Sequence, residues 1–251
     1  VVADGDNRIV NGAGTIGATG ANTAGIGASV GTLLVENTIE ATVGRNGALT
    51  AYALNTAANA GILTANRAER RRGVVVHAFS DEEIYMAAVG GSIAGSGMAV
   101  VSGVVDTLLV RNKVIAQVGE NTAVSAGLNA AEGLDADGDG ETDDSDGEGE
   151  IAVEAHDETF ALNFGGALSA SGSSTVAFGA TVVTISFEKQ VSAILDGGSQ
   201  IVHAEGDIHV TADNQDTLFL LAVTAGATGG TAGVSLGGNI LLFDDLVQAH
   251  L

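Results

Sequence analysis

The 251 residues carry a net charge of −22, contain no Cys, Pro or Trp, and are 45% hydrophobic but only 4% aromatic. This excludes a disulfide framework and any thiolate metal site, and it disfavours nucleic acid or an anionic membrane surface as a partner, since both require clustered cations. The apolar content is nearly all Ala, Val, Leu and Ile with 37 Gly, which suits thin layers of closely spaced strands, and without Pro every backbone N–H is free to join a ladder.

The chain opens with VADGDNRIVNGAGTIGATG at 2–20. Within it GAGTIG formally matches a dinucleotide fingerprint, with Glu36 about 20 residues on. The same slot later holds VGGSIAG, FGGALSA and VTAGATG, which keep the small residues and lose the spacing, so these glycines belong to a repeat. TLLVENTIEATVG at 32–44 returns as TLLVRNKVIAQVG at 107–119, degraded as TISFEKQVSAILDGG at 184–198, and as NILLFDDLVQAHL at 239–251. The start-to-start spacings are 75, 77 and 55.

The Ala-rich stretch 48–72 reads as a short helix or an irregular bulge. It ends in the only basic cluster, Arg67, Arg70, Arg71 and Arg72. Three readings stand for that cluster: a solvated turn, docking onto an acidic loop of this chain or a neighbour, and a processing site.

VVVHAFSDEEIYMAAVGGSIAGSG at 74–97 opens a second family of copies, with IAVEAHDETFALNFGGALSASG at 151–172 and IHVTADNQDTLFLLAVTAGATGG at 208–230. The apolar run 86–105 is long enough for a membrane span, but its counterparts carry Asn163, Ser169, Thr224 and Thr228, so membrane insertion is not expected.

LDADGDGETDDSDGEGE at 134–150 is the sharpest local motif. Aligned to a calcium loop, Asp135, Asp137 and Asp139 fall at positions 1, 3 and 5. Gly140 provides the bend, Glu141 a backbone carbonyl, and Asp143 and Asp146 the last two ligands. Alternate acids on a tight turn aim oxygens at one hard cation. Asp at the final position departs from the usual bidentate Glu. Structural Ca²⁺ at roughly 10⁻⁴–10⁻³ M is the expectation, and a solvated acidic loop is the alternative. The five histidines show no ligand spacing and read as solvent-side strand residues.

Alternating runs such as IEATV, VIAQV, IAVEA and IHVTA read as half-buried strands. Gly90-Gly91, Gly165-Gly166, Asn46-Gly47 and Asp196-Gly197 read as turns between them. The expected fold is all-β, a right-handed parallel β-solenoid of about three and a third imperfect 55–77-residue repeats (2–73, 74–150, 151–207 and 208–251) with an acidic insertion at 131–150. The whole chain, 1–251, is expected to be one continuous solenoid segment, each repeat making about three coils of roughly 20–25 residues. Both ends fall inside a repeat, and the chain shows no leader pattern. It is therefore expected to be part of a longer array or to join end to end with other copies.

The small–Gly–small runs, TLLVENTIEATVGRNGALTA and the GDIHVTA strand at 206–212 together resemble the repeats of large bacterial filamentous adhesins, the leukotoxin-type and filamentous-haemagglutinin-like surface proteins. The resemblance implies the right-handed β-solenoid, an extracellular or cell-surface location, and a stalk, adhesin or matrix-fibre role. Its partners would be other copies of itself and a host or matrix surface. It implies no catalytic residues. A calcium-dependent β-helix enzyme acting on polysaccharide is the alternative, and it would need clustered carboxylates, a base and sugar-stacking aromatics. Arg8, Arg45 and Arg111 are scattered along the sequence.

Overall fold

The computed structural model describes residues 1–21, 24–51, 62–65, 67, 70–71, 73–96, 99–127, 149–173, 176–204 and 206–251. Its strands in chain order are β1 (Val2–Ala21), β2 (Gly25–Val43), β3 (Ala48–Ala51), β4 (Ile62–Leu63), β5 (Arg70–Arg71), β6 (Gly73–Ser96), β7 (Ala99–Val118), β8 (Ala123–Ala126), β9 (Glu150–Ser171), β10 (Val176–Leu195), β11 (Gln200–Ala204), β12 (Ile208–Thr228) and β13 (Ala232–His250). No helix occurs among the described residues. In particular, none is long and apolar enough to cross a membrane.

The architecture is a flattened parallel β-solenoid. One sheet stacks β1-β6-β9-β12, a second stacks β2-β7-β10-β13, and a short third stacks β3-β8-β11. Every pairing in these three sheets is parallel. The register follows the sequence repeats: Thr32 pairs with Thr107 and Thr107 with Thr184, while Val74 pairs with Ile151 and Ile151 with Ile208. The last copy sits one residue from its sequence alignment, because Thr184 pairs with Ile240. That shift seats Phe187 on Phe243, rings stacked with centroids 5.6 Å apart.

The coil count differs from expectation. Each repeat makes one turn of the solenoid, out along one long sheet and back along the other. The eight long strands run 19–24 residues, against a usual five or six. Gly90-Gly91 and Gly165-Gly166 lie inside β6 and β9 and are not turns. The period-2 alternation runs straight through them, with Ala88, Ser92 and Ala94 buried in step with the apolar residues before them.

Gly90 and Gly165 serve the taper of the cross-section. Where each strand of the first sheet turns into its partner in the second, the sheets converge until backbone meets backbone. A Cβ on Gly27 would collide with the Gly91 carbonyl, and one on Gly90 would lie 2.9 Å from the Gly103 carbonyl oxygen. Ser102 and Ser169 close this narrow end with hydroxyls 2.8 Å apart. The turns at the wide end are genuine, with Asn46, Asn121 and Gly198 at φ of 59°, 56° and 79°. Asn and Gly tolerate this left-handed conformation best.

The interior divides into bands that run down the stack. At the wide end Val74, Val76, Val114, Val118, Ile151 and Val191 belong to one apolar cluster. A second cluster includes Ile84, Met86, Leu108, Val110, Ile185 and Phe187. Between the two lies a band of inward-facing polar side chains.

Candidate functional site

The polar band arises from three columns set by the strand registers. On the first sheet Ser80, Asp157 and Asn214 are stacked, and beside them Glu82, Thr159 and Asp216. Asn7 lies above Glu82. On the facing sheet the column is Asn37, Asn112, Lys189 and Asp245. Glu82 and Asp157 are 0% exposed and Lys189 is 3% exposed. Such burial is tolerable only where each charge finds hydrogen-bond partners.

The partners come from adjacent layers. Asn37 donates to Glu82 at 3.0 Å and to the Ser80 hydroxyl at 3.3 Å. Asn112 donates to Glu82 at 2.7 Å and to Asp157 Oδ1 at 3.2 Å. Lys189 Nζ sits between four acceptors, Asp157 Oδ2 at 2.5 Å, Asp216 Oδ1 at 2.5 Å, Thr159 Oγ1 at 2.8 Å and Asn214 Oδ1 at 3.4 Å. The band holds more acid than base, four carboxyls around one ammonium. Burial pushes the Glu82 carboxyl above its ordinary value, opposed by the Asn112 hydrogen bond and raised again by the Asp157 charge. Asp245 is raised as well, by desolvation and then by Asp216.

Asp106 is a further buried acid, outside the band and in a different environment. It is 0% exposed, and neither carboxylate oxygen has a partner among the described residues. Its column continues as Gly31 above and Val183 below, neither of which offers a side-chain donor. Burial pushes its carboxyl up to about 6.

The outer face of the first sheet carries a covered corner. β4 and β5 pair antiparallel, Ile62 with Arg71 and Leu63 with Arg70, and this hairpin lies across β6 and β9. The Ala65 N–H donates to Glu154 Oε2 at 2.9 Å, and Arg71 reaches Glu154 Oε1 at 3.3 Å and Glu150 Oε2 at 3.6 Å. Arg67, at φ 57°, bonds Asp4 at 3.0 Å and lies 4.0 Å over the Phe79 ring. Phe79 in turn stacks on His156 at 5.5 Å, and His156 Nδ1 lies 3.1 Å from Asp213. A cavity of about 260 Å³ remains under the hairpin, lined in part by Val2, Leu63, His77 and Phe79.

This corner corrects three expectations. Ala48–Ala51 is strand β3, and Ile62–Leu63 pairs with Arg70–Arg71, so these parts of 48–72 are strand and not helix, while 52–61, 66, 68–69 and 72 lie outside the described residues. Arg67 and Arg71 are engaged with Asp4, Glu150 and Glu154 and do not form a merely solvated turn. His77 and His156 are buried at 6% and 4% exposure, so they are not solvent-side residues. Burial also lowers the basicity of His77, opposed by the nearby Glu154 and Asp4 charges.

The expected calcium ligands Asp135, Asp137, Asp139, Glu141, Asp143 and Asp146 lie outside the described residues. Among the described residues no group of three or more His, Asp or Glu could hold a metal ion. GAGTIG lies within β1, where Gly17 packs against the Ile26 carbonyl at the narrow end. Arg111, scattered in sequence, bridges Glu36 and Glu188 at 2.9 Å each on the outer face of the second sheet.

The polar band was not anticipated, yet its signal is present in the sequence. Ile185, Phe187, Lys189, Val191 and Ala193 share one phase of the alternation in TISFEKQVSA, which places a lysine on the core face. No family model, curated protein or solved structure matches this chain.

Proposed function

We propose that this chain is a structural or adhesive segment of an extracellular fibre or stalk on a large bacterial surface protein, working by layer-on-layer extension. The observation that supports it most is the continuity of the core columns. Ile9, Ile84, Ala161 and Leu218 form one column through the first sheet. Leu33, Leu108, Ile185 and Leu241 form another through the second, as do Ala41, Ala116, Ala193 and Ala249. In these columns each layer offers the next an apolar inward surface in matched register, and stacking sets length and stiffness. Extension would proceed through further coils of the same chain or through other copies of it, with a host or matrix surface as the outer partner.

Within this reading the Asp135–Asp146 stretch binds Ca²⁺ and stiffens the point where the insertion leaves the stack. Electron microscopy with and without a chelator tests both parts. Rods with a strand spacing of about 4.8 Å along the axis are the expected result, and loss of their straightness on chelation would assign the calcium role. Compact particles that do not elongate at any concentration would overturn the fibre reading.

A further inference from the structure

We propose that Lys189 and Asp157 condense into an intramolecular isopeptide bond that joins β10 to β9 through the core. The amine and the carboxyl are both inaccessible, with side-chain exposures of 0%, and Nζ lies 2.5 Å from Oδ2. Fixing two reactants in this way replaces an encounter in water by a positioned unimolecular step, with effective molarities of about 10⁵ M or more in well-oriented cases.

The surrounding groups match the needs of acyl transfer. Asn112 Nδ2 donates to Asp157 Oδ1 at 3.2 Å, so an N–H already points at the oxygen that becomes negative when Cγ turns tetrahedral. Asp216 Oδ1 lies 2.5 Å from Nζ on its other side and is placed to take a proton from it. The Thr159 hydroxyl, 2.8 Å away, fixes the direction of the amine. The Phe187 ring, 5.2 Å from Nζ, and Phe243 stacked on it wall the site with apolar surface.

The step balances without an oxidant or a co-reactant. Nζ gives a proton to Asp216 and attacks Asp157 Cγ, forming the C–N bond. The Cγ–Oδ2 bond breaks, and Oδ2 leaves as water with the two protons that Nζ has lost, which Asp216 carries across. Oδ1 becomes the amide carbonyl, still held by Asn112. An ammonium–carboxylate pair that is costly to keep out of water becomes a neutral amide. The bond closes a loop of 32 residues between the two long sheets. It lies inside the stack and stands independently of the fibre reading.

The test is the intact mass of the wild-type chain after full denaturation, followed by peptide mapping. The expected result is a chain one water lighter than its sequence, with a branched peptide joining Lys189 to Asp157. The unmodified mass would overturn the proposal. A chain one ammonia lighter, with Lys189 joined to Asn214, would also overturn it, because Asn214 Oδ1 at 3.4 Å is the competing acceptor. Two variants sharpen the result. Asp157→Asn is expected to form the same linkage with loss of ammonia. Asp216→Asn is expected to accumulate the uncondensed chain after refolding, and full condensation in that variant would remove Asp216 as the proton carrier.

Discussion

Lys189 and Asp106 are both inward-facing residues of the second sheet, both fully buried, and their surroundings are opposite. Lys189 belongs to a column that is polar in every layer, from Asn37 to Asp245, and it faces acids from two layers of the first sheet. Asp106 belongs to a column whose neighbours are Gly31 and Val183, and its carboxylate has no partner among the described residues. In a solenoid, then, the unit that makes a buried charge tolerable is the column across layers. One residue cannot provide it alone.

The largest test of this contrast is Lys189→Met. It removes the only cation of the polar band among the described residues, and with it the amine that condenses with Asp157, and leaves Asp157 and Asp216 as buried carboxyls with neither ion pair nor cross-link. A loss of about 3–5 kcal/mol in urea unfolding is expected, and a loss below about 1 kcal/mol would mean the band is hydrated and energetically slack.

Asp106→Val should act in the other direction, since Val is what the next layer holds in that column. The expected gain at pH 8 is about 1–3 kcal/mol. Because the folded carboxyl is raised to about 6, the wild-type fold takes up protons between the ordinary carboxylate value and 6. Its relative stability is greatest in acid and falls as pH rises through 6. The advantage of Asp106→Val should therefore shrink at pH 4–5. Equal gains at both ends of that range would show that Asp106 ionises freely in the fold.

The covered corner provides a smaller test. Arg71→Ala removes a group that holds Glu154 alongside the Ala65 N–H. The hairpin should open locally, with Ala65 amide exchange about tenfold faster, equivalent to about 1.4 kcal/mol. Unchanged exchange would mean that the remaining contacts, among them Ala65 with Glu154 and Arg67 with Asp4 and Phe79, secure the corner without Arg71. Smallest of all is Arg111→Ala, which breaks two exposed pairs and should cost less than about 1 kcal/mol, an effect that salt further reduces.

Much of this fold is legible in the sequence because parallel stacking repeats identical environments. Thr32, Thr107 and Thr184 share a column because each copy of the motif meets the same neighbours. The turn count is not legible for a particular reason. Gly90 and Gly165 are required by the approach of the opposite sheet, and glycine is also the residue of turns. Only the phase of Ala88, Ser92 and Ala94 separates the two meanings. The corner was hidden differently: 48–72 departs from the repeat, and nothing local to Arg67 or Arg71 names Asp4, Glu150 or Glu154 as partners. Lys189 could have been placed by extending the alternation back from Val191.

The stacking also dictates how the chain can fold. Every hydrogen-bonded neighbour in the two long sheets lies between 56 and 77 residues away along the sequence. No long strand can find its partner until a full turn of the solenoid is available, and loop-closure entropy is spent before any ladder returns it. The first two turns must therefore meet as a slow nucleus. Each later turn then adds to a template that already presents a strand edge of matched register, so that assembly during synthesis would proceed in one direction, a turn at a time.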